Sequence, residues 1–96
     1  MKPINWNSDK NKQLRAERGV SFEEVLVALS PEAILDVIEH TNADRYPNQR
    51  ILIVRIRGYA YIVPFIESDE EVFLETIIPS RVATRKYLPE EKRDEK

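Results

Sequence analysis

The chain has no cysteine, which excludes disulfides, thiolate nucleophiles and cysteine-based zinc sites together. It has one histidine and only two glycines, Gly19 and Gly58, so it carries neither a His-rich metal cluster nor a phosphate-cradling glycine loop. Long apolar runs are missing too, so no segment spans a membrane, and no hydrophobic signal segment follows Met1-Lys2. The chain therefore reads as cytoplasmic. Nor is there a basic surplus. Fifteen Lys and Arg against 17 Asp and Glu give a net charge of -2, which argues against a general nucleic-acid coat. What is present is an ordinary globular composition, 42% hydrophobic and 33% charged over 96 residues, sufficient for one domain with a shallow core.

The charges are unevenly placed. Residues 19–44 hold six acidic groups and no basic one, whereas residues 45–63 hold Arg45, Arg50, Arg55 and Arg57 and no acid. Glu67, Asp69, Glu70, Glu71 and Glu75 follow, and then a cluster of Arg81, Arg85 and Lys86. Two readings stand side by side: a basic working face opposed to an acidic one, or plain surface mixing.

Asn7 or Ser8 can cap a helix running to Arg18, where Gly19 stops it by taking a backbone conformation other residues resist. Its apolar stripe is thin, so the helix needs docking, with Trp6 as its anchor. Ser21 and Glu24 form a capping box before a second helix with Phe22, Val25, Leu26 and Leu29 on one stripe. Residues 34–39 fit a helix or a short strand, and periodicity slightly favours the helix. Strands follow over 50–57, 59–66 and 72–78, with Gly58 in a tight hairpin. Pro64 cannot donate a ladder bond and marks an edge, a bulge or a bond-free position. Ser80 opens a short helix through 88, and residues 90–96 read as a charged, frayed tail. The fold class is α+β: two N-terminal helices packed on one face of a three- to four-stranded antiparallel sheet, with a short C-terminal helix.

The chemistry concentrates on cations. Arg81 and Arg85 are four apart and share one side of a helical turn, beside Lys86. Their planar donors suit phosphate, although the same face serves equally as a solvated surface paired to the acidic turn. On a regular strand Arg55 and Arg57 share a face. Tyr59 and Tyr61 on the neighbouring strand are either a stacking platform for single-stranded RNA or half-buried core. His40, the sole histidine, is either a general base near neutral pH or a surface residue.

The segments Trp6-Asn7-Ser8-Asp9-Lys10, Arg18-Gly19-Val20-Ser21-Phe22-Glu23-Glu24-Val25 and Ile77-Ile78-Pro79-Ser80-Arg81-Val82-Ala83 together resemble the BrnT toxin family. These are small ribonuclease toxins of type II toxin–antitoxin systems, in the RelE/ParE-like structural group. The resemblance spans nearly the whole chain and implies a single RelE-like toxin domain over 1–96, with 34–39 a strand. It implies a metal- and cofactor-independent endoribonuclease with Arg81, Lys10 and the sheet-face Arg55 as catalytic candidates. Arg57, Arg85, Lys86, Arg18 and Tyr61 become substrate-binding candidates, and His40 a possible acid–base group. The 2′-hydroxyl of RNA would be the nucleophile. The implied partners are RNA, a cognate antitoxin and, through that antitoxin only, operator DNA. The chain departs from the family pattern at Asn7, Leu14, Arg18 and Pro79, which take the places of a usual acid, asparagine, histidine and isoleucine-serine approach. A non-catalytic protein whose arginine face binds an acidic partner is the alternative, as is a toxin of the same group with another target, such as gyrase.

Overall fold

Asn7 accepts a hydrogen bond from the Lys10 N–H at 2.9 Å and starts α1 (Ser8–Arg18), and Gly19 ends it in the left-handed conformation at φ 67°. Ser21 and Glu24 close both halves of the capping box that starts α2 (Phe22–Val27). Buried Asn11 joins the two helices. Its Oδ1 accepts from the Phe22 N–H at 2.8 Å, and its Nδ2 donates to Glu23 Oε1 at 2.9 Å. The first turn of α2 thereby gains a partner for a donor that no intrahelical bond satisfies.

The structure, a computed structural model, describes residues 2–39, 44–45 and 48–89. Besides α1 and α2 it contains β1 (Ile4–Trp6), β2 (Ile34–Glu39), β3 (Gln49–Ile56), β4 (Tyr59–Glu67), β5 (Val72–Leu74), β6 (Ile78–Pro79) and α3 (Arg81–Tyr87). All strands join one six-stranded mixed sheet in the order β1-β5-β4-β3-β2, with β6 also paired to β4.

This corrects the expected sheet of three to four antiparallel strands. β1 is a further strand, parallel to β5 with Ile4 beside Val72 and Trp6 beside Leu74. Three residues are too few for alternation to reveal a strand, and the pairing partner lies at the far end of the sequence. Trp6 does anchor the N-terminal region, but from within β1, stacking on Phe22 with ring centroids 5.5 Å apart. The expected last strand over 72–78 is broken into β5 and β6. The Pro64 carbonyl accepts from the Glu75 N–H at 2.9 Å, so that side of Pro64 faces the gap between them. A strand residue turns its N–H and C=O to the same side, so the donor that proline lacks is missing where the ladder breaks.

The ambiguous run 34–39 is the edge strand β2, bulged between Ile34 and Asp36. The β3–β4 hairpin turns on Arg57 and Gly58, both at positive φ (53° and 76°), between the paired Ile56 and Tyr59.

The helices do not share one face. Leu52, Val54 and Ile56 of β3 and Val63 and Phe65 of β4 pack with Leu14, Phe22 and Val25 of the two N-terminal helices. Strand alternation turns Ile53 and Ala60 the other way, against Ala83 and Leu88 beside α3. The sheet face away from α1 and α2 is therefore covered by α3.

Its attachment is polar as well as apolar. The Ala60 N–H donates to Thr84 Oγ1 at 2.9 Å, while the Ala60 carbonyl accepts from the Ser80 N–H at 3.0 Å. Thr84 Oγ1 in turn donates to the Ser80 carbonyl at 2.7 Å, and its residue is fully buried. Thr84→Val keeps the shape but strands the Ala60 N–H in a dry site. Urea unfolding should show a loss of about 1–3 kcal/mol with an unchanged denaturant slope.

Candidate nucleic-acid interface

Helix α3 presents cations because its other side is fixed at both ends. Ser80 caps it, accepting from the Ala83 N–H at 3.0 Å, and the Ala60–Thr84 contact pins the first turn. At the C-terminal end the Tyr87 hydroxyl donates to Asp36 Oδ2 on β2 at 2.6 Å. With Ala83, Thr84 and Leu88 buried toward the sheet, Arg81, Val82, Arg85 and Lys86 are exposed. Lys86 also lies 5.2 Å from the Tyr87 ring centroid.

The ion pairs sort the remaining cations. Lys2 pairs with Glu67 at 2.8 Å and Arg15 with Glu23 at 3.1 Å. Arg50 pairs with Glu67 as well and sits 5.3 Å from the Phe65 ring centroid. Arg57 pairs with Glu24 and donates to the Gly19 carbonyl at 2.8 Å, so it braces the hairpin against α2. Arg18 donates to the Ile77 carbonyl at 2.7 Å, four residues ahead of Arg81, and so steadies the approach to α3. Arg81, Arg85 and Lys10 have no such partner among the described residues.

The structure thus brings Arg81, Arg85 and Lys86 together on α3, puts Arg55 on the sheet face that α3 covers, and sets Lys10, Arg57 and Tyr61 apart from them. Lys10 lies in the first turn of α1, in the layer across the sheet from α3. Arg55 is half-buried at the end of β3, its N–H donating to the Ala33 carbonyl at 2.8 Å, and strand alternation places it on the α3 face. Arg57 does not share that face, because its positive φ returns the side chain to α2. Tyr61 is half-buried against the α1–α2 core and meets Tyr59 edge-on at 5.9 Å. His40 lies outside the described residues, as does the tail 90–96.

Two residues position the site without being marked for that task by the sequence, Thr84 and Asp36. Thr84 is a threonine between basic residues, and only its place four residues after Ser80 signals a back-bonded hydroxyl. Asp36 meets Tyr87 across half the chain, a contact no local pattern announces.

Among the described residues no group of three or more His, Asp or Glu side chains is placed to hold a metal ion, and no helix is long and apolar enough to cross a membrane. Comparison with known families, with curated proteins and with solved structures gives no match.

The Tyr87 hydrogen bond, then the Val37 N–H, hold the Asp36 carboxyl below its ordinary range, with the Lys86 charge adding to the effect. The same bond, followed by burial, raises the Tyr87 phenol. A depressed carboxylate stabilises the fold above its unfolded pKa of ~4 and loses that contribution as pH falls through its folded value. A raised phenol contributes below its unfolded pKa of ~10 and loses the contribution as pH rises through its folded value. Tyr87→Phe should therefore lower Tm at neutral pH. Thermal unfolding across a pH series should show the gap to wild type closing at both the acidic and the strongly alkaline ends.

Proposed function

We propose that the chain is an RNA-directed toxin of a toxin–antitoxin pair, which grips the RNA backbone through α3 and cleaves it. The observation that carries this reading is the pair Arg81 and Arg85. They are one helical turn apart on the solvent side of a doubly anchored helix, and no described acid neutralises them. Guanidinium groups carried on an anchored helix can reach successive phosphates, and they favour charge building on a phosphorus under attack. In the cleavage step the 2′-oxygen of RNA bonds to the adjacent phosphorus as the 5′-oxygen leaves. The hydroxyl proton passes to solvent water, and water returns a proton to the leaving oxygen. Arg81 is assigned the role of stabilising the phosphorane charge, with Arg85 and Lys86 holding the flanking backbone.

A second reading is favoured by a separate observation. Arg18 and Arg57 are engaged with backbone carbonyls and, for Arg57, with Glu24, so neither joins Arg81 in a catalytic constellation. A protein that binds an acidic partner through α3 without turning anything over needs no such constellation.

Growth after induced expression and RNA cleavage by the purified chain separate the two. The toxin reading expects wild type to arrest growth and cut RNA, with Arg81→Ala slowing cleavage about a hundred-fold. Arg81→Ala/Arg85→Ala should also flatten the log–log salt dependence of single-stranded RNA binding by about 1.4, from two lost phosphate contacts. Unimpaired growth, together with intact RNA after incubation with wild type, would sink the enzyme reading.

A further inference from the structure

The outer edge of β2 has no strand beside it among the described residues, since β2 closes the sheet order at that end. It is also the place where apolar side chains surface on both sides of the sheet. Val37 is paired with Leu52 and shares its face, that of the α1–α2 core, yet is 45% exposed. Ile38 is paired with Ile51 on the α3 face and is 39% exposed. A helix docked from outside would cover only one of the two. An added strand extends the sheet past both, and its side chains flank Val37 on one face and Ile38 on the other.

The charge around this edge selects the occupant. Residues 19–44 contain no cation, and Glu39 at the end of β2 and Glu32 just before it are both exposed. Arg50 is the register partner of Glu39, but its guanidinium is paired with Glu67 and set over Phe65. The exposed carboxylates of Glu39 and Glu32 favour a cationic strand here and disfavour RNA. Asp36 Oδ1 accepts the Val37 N–H at 2.8 Å, a local cap that any added strand displaces.

We propose that the β2 edge receives, as an added antiparallel strand, an extended basic and apolar segment of a partner protein. Its residue opposite Glu39 is a lysine or arginine, and the residues opposite Ile38 and Val37 are aliphatic. A carbonyl of the incoming strand replaces Asp36 Oδ1 at the Val37 N–H. This surface is distinct from the exposed cations of α3, although Asp36 touches both, its Oδ2 accepting the Tyr87 hydroxyl.

The test uses the full chain and two short synthetic strand peptides. One has a Lys-Ile-Val core and the other Glu-Ile-Val, and both are titrated against isotope-labelled protein by NMR. The basic peptide should shift the amides of residues 35–39 and bind up to about five-fold tighter per charge than the acidic one. Glu39→Lys, a surface change, should reverse the order of the peptides, and Val37→Pro should abolish binding of either. Equal affinity for both peptides, or shifts that avoid residues 35–39, would overturn the proposal. So would a dimer in sedimentation whose contacts map to residues 35–39, which would assign the edge to a second copy.

Discussion

The fold turns on a single buried hydroxyl. Thr84 Oγ1 takes the Ala60 N–H and gives its own proton to the Ser80 carbonyl, while the Ser80 N–H returns to the Ala60 carbonyl. Ala60 stands just past the stretch of β4 that pairs with β6, so without Thr84 the strand would present an unsatisfied donor to an apolar interior. One side chain thus completes the strand and seats the helix. The small Ala60 and Ala83 let helix and sheet approach closely around it, and Leu88 and Tyr87 seal the far end.

Seating α3 in this way divides the cations of the molecule by task. Those near the N-terminal helices and the hairpin hold the structure: Arg15 on Glu23, Arg57 on Glu24 and Gly19, Arg18 on Ile77. Such exposed pairs individually add little stability, but they fix which charges remain available. Glu23, Glu24 and Glu67 are each engaged by a cation away from α3. Among the described residues Asp36 approaches α3, and it is occupied by the Tyr87 hydroxyl and the Val37 N–H rather than by an arginine.

Legibility in the sequence followed the range of each interaction. Asn7, Gly19, the Ser21–Glu24 box and the Arg57-Gly58 turn act within a few residues, and each could be read from its neighbours. Ile34 to Glu39 could not, because a short branched run satisfies helix and strand alike until β3 pairs with it. β1 and the break after β5 were hidden for another reason: their partners, Val72–Leu74 and Pro64, are remote in sequence. At the candidate site, the proximity of Arg81 and Arg85 follows from helical spacing alone. Their separation from Lys10 does not, since sequence carries no sign of which sheet face a helix will choose, and α1 and α3 choose opposite ones.

The parallel seam between β1 and β5 imposes an order on biosynthesis. Ile4, Asn5 and Trp6 leave the ribosome well before Val72–Leu74, the strand they pair with. Residues Ser8 to Val27 can coil into their helices meanwhile, but the Trp6 ring and its neighbours lack their sheet. Domains generally fold as units during synthesis, and distant pairings close late. α3 follows later still, so the nascent chain gains its cationic helix only after the sheet that supports it has been translated.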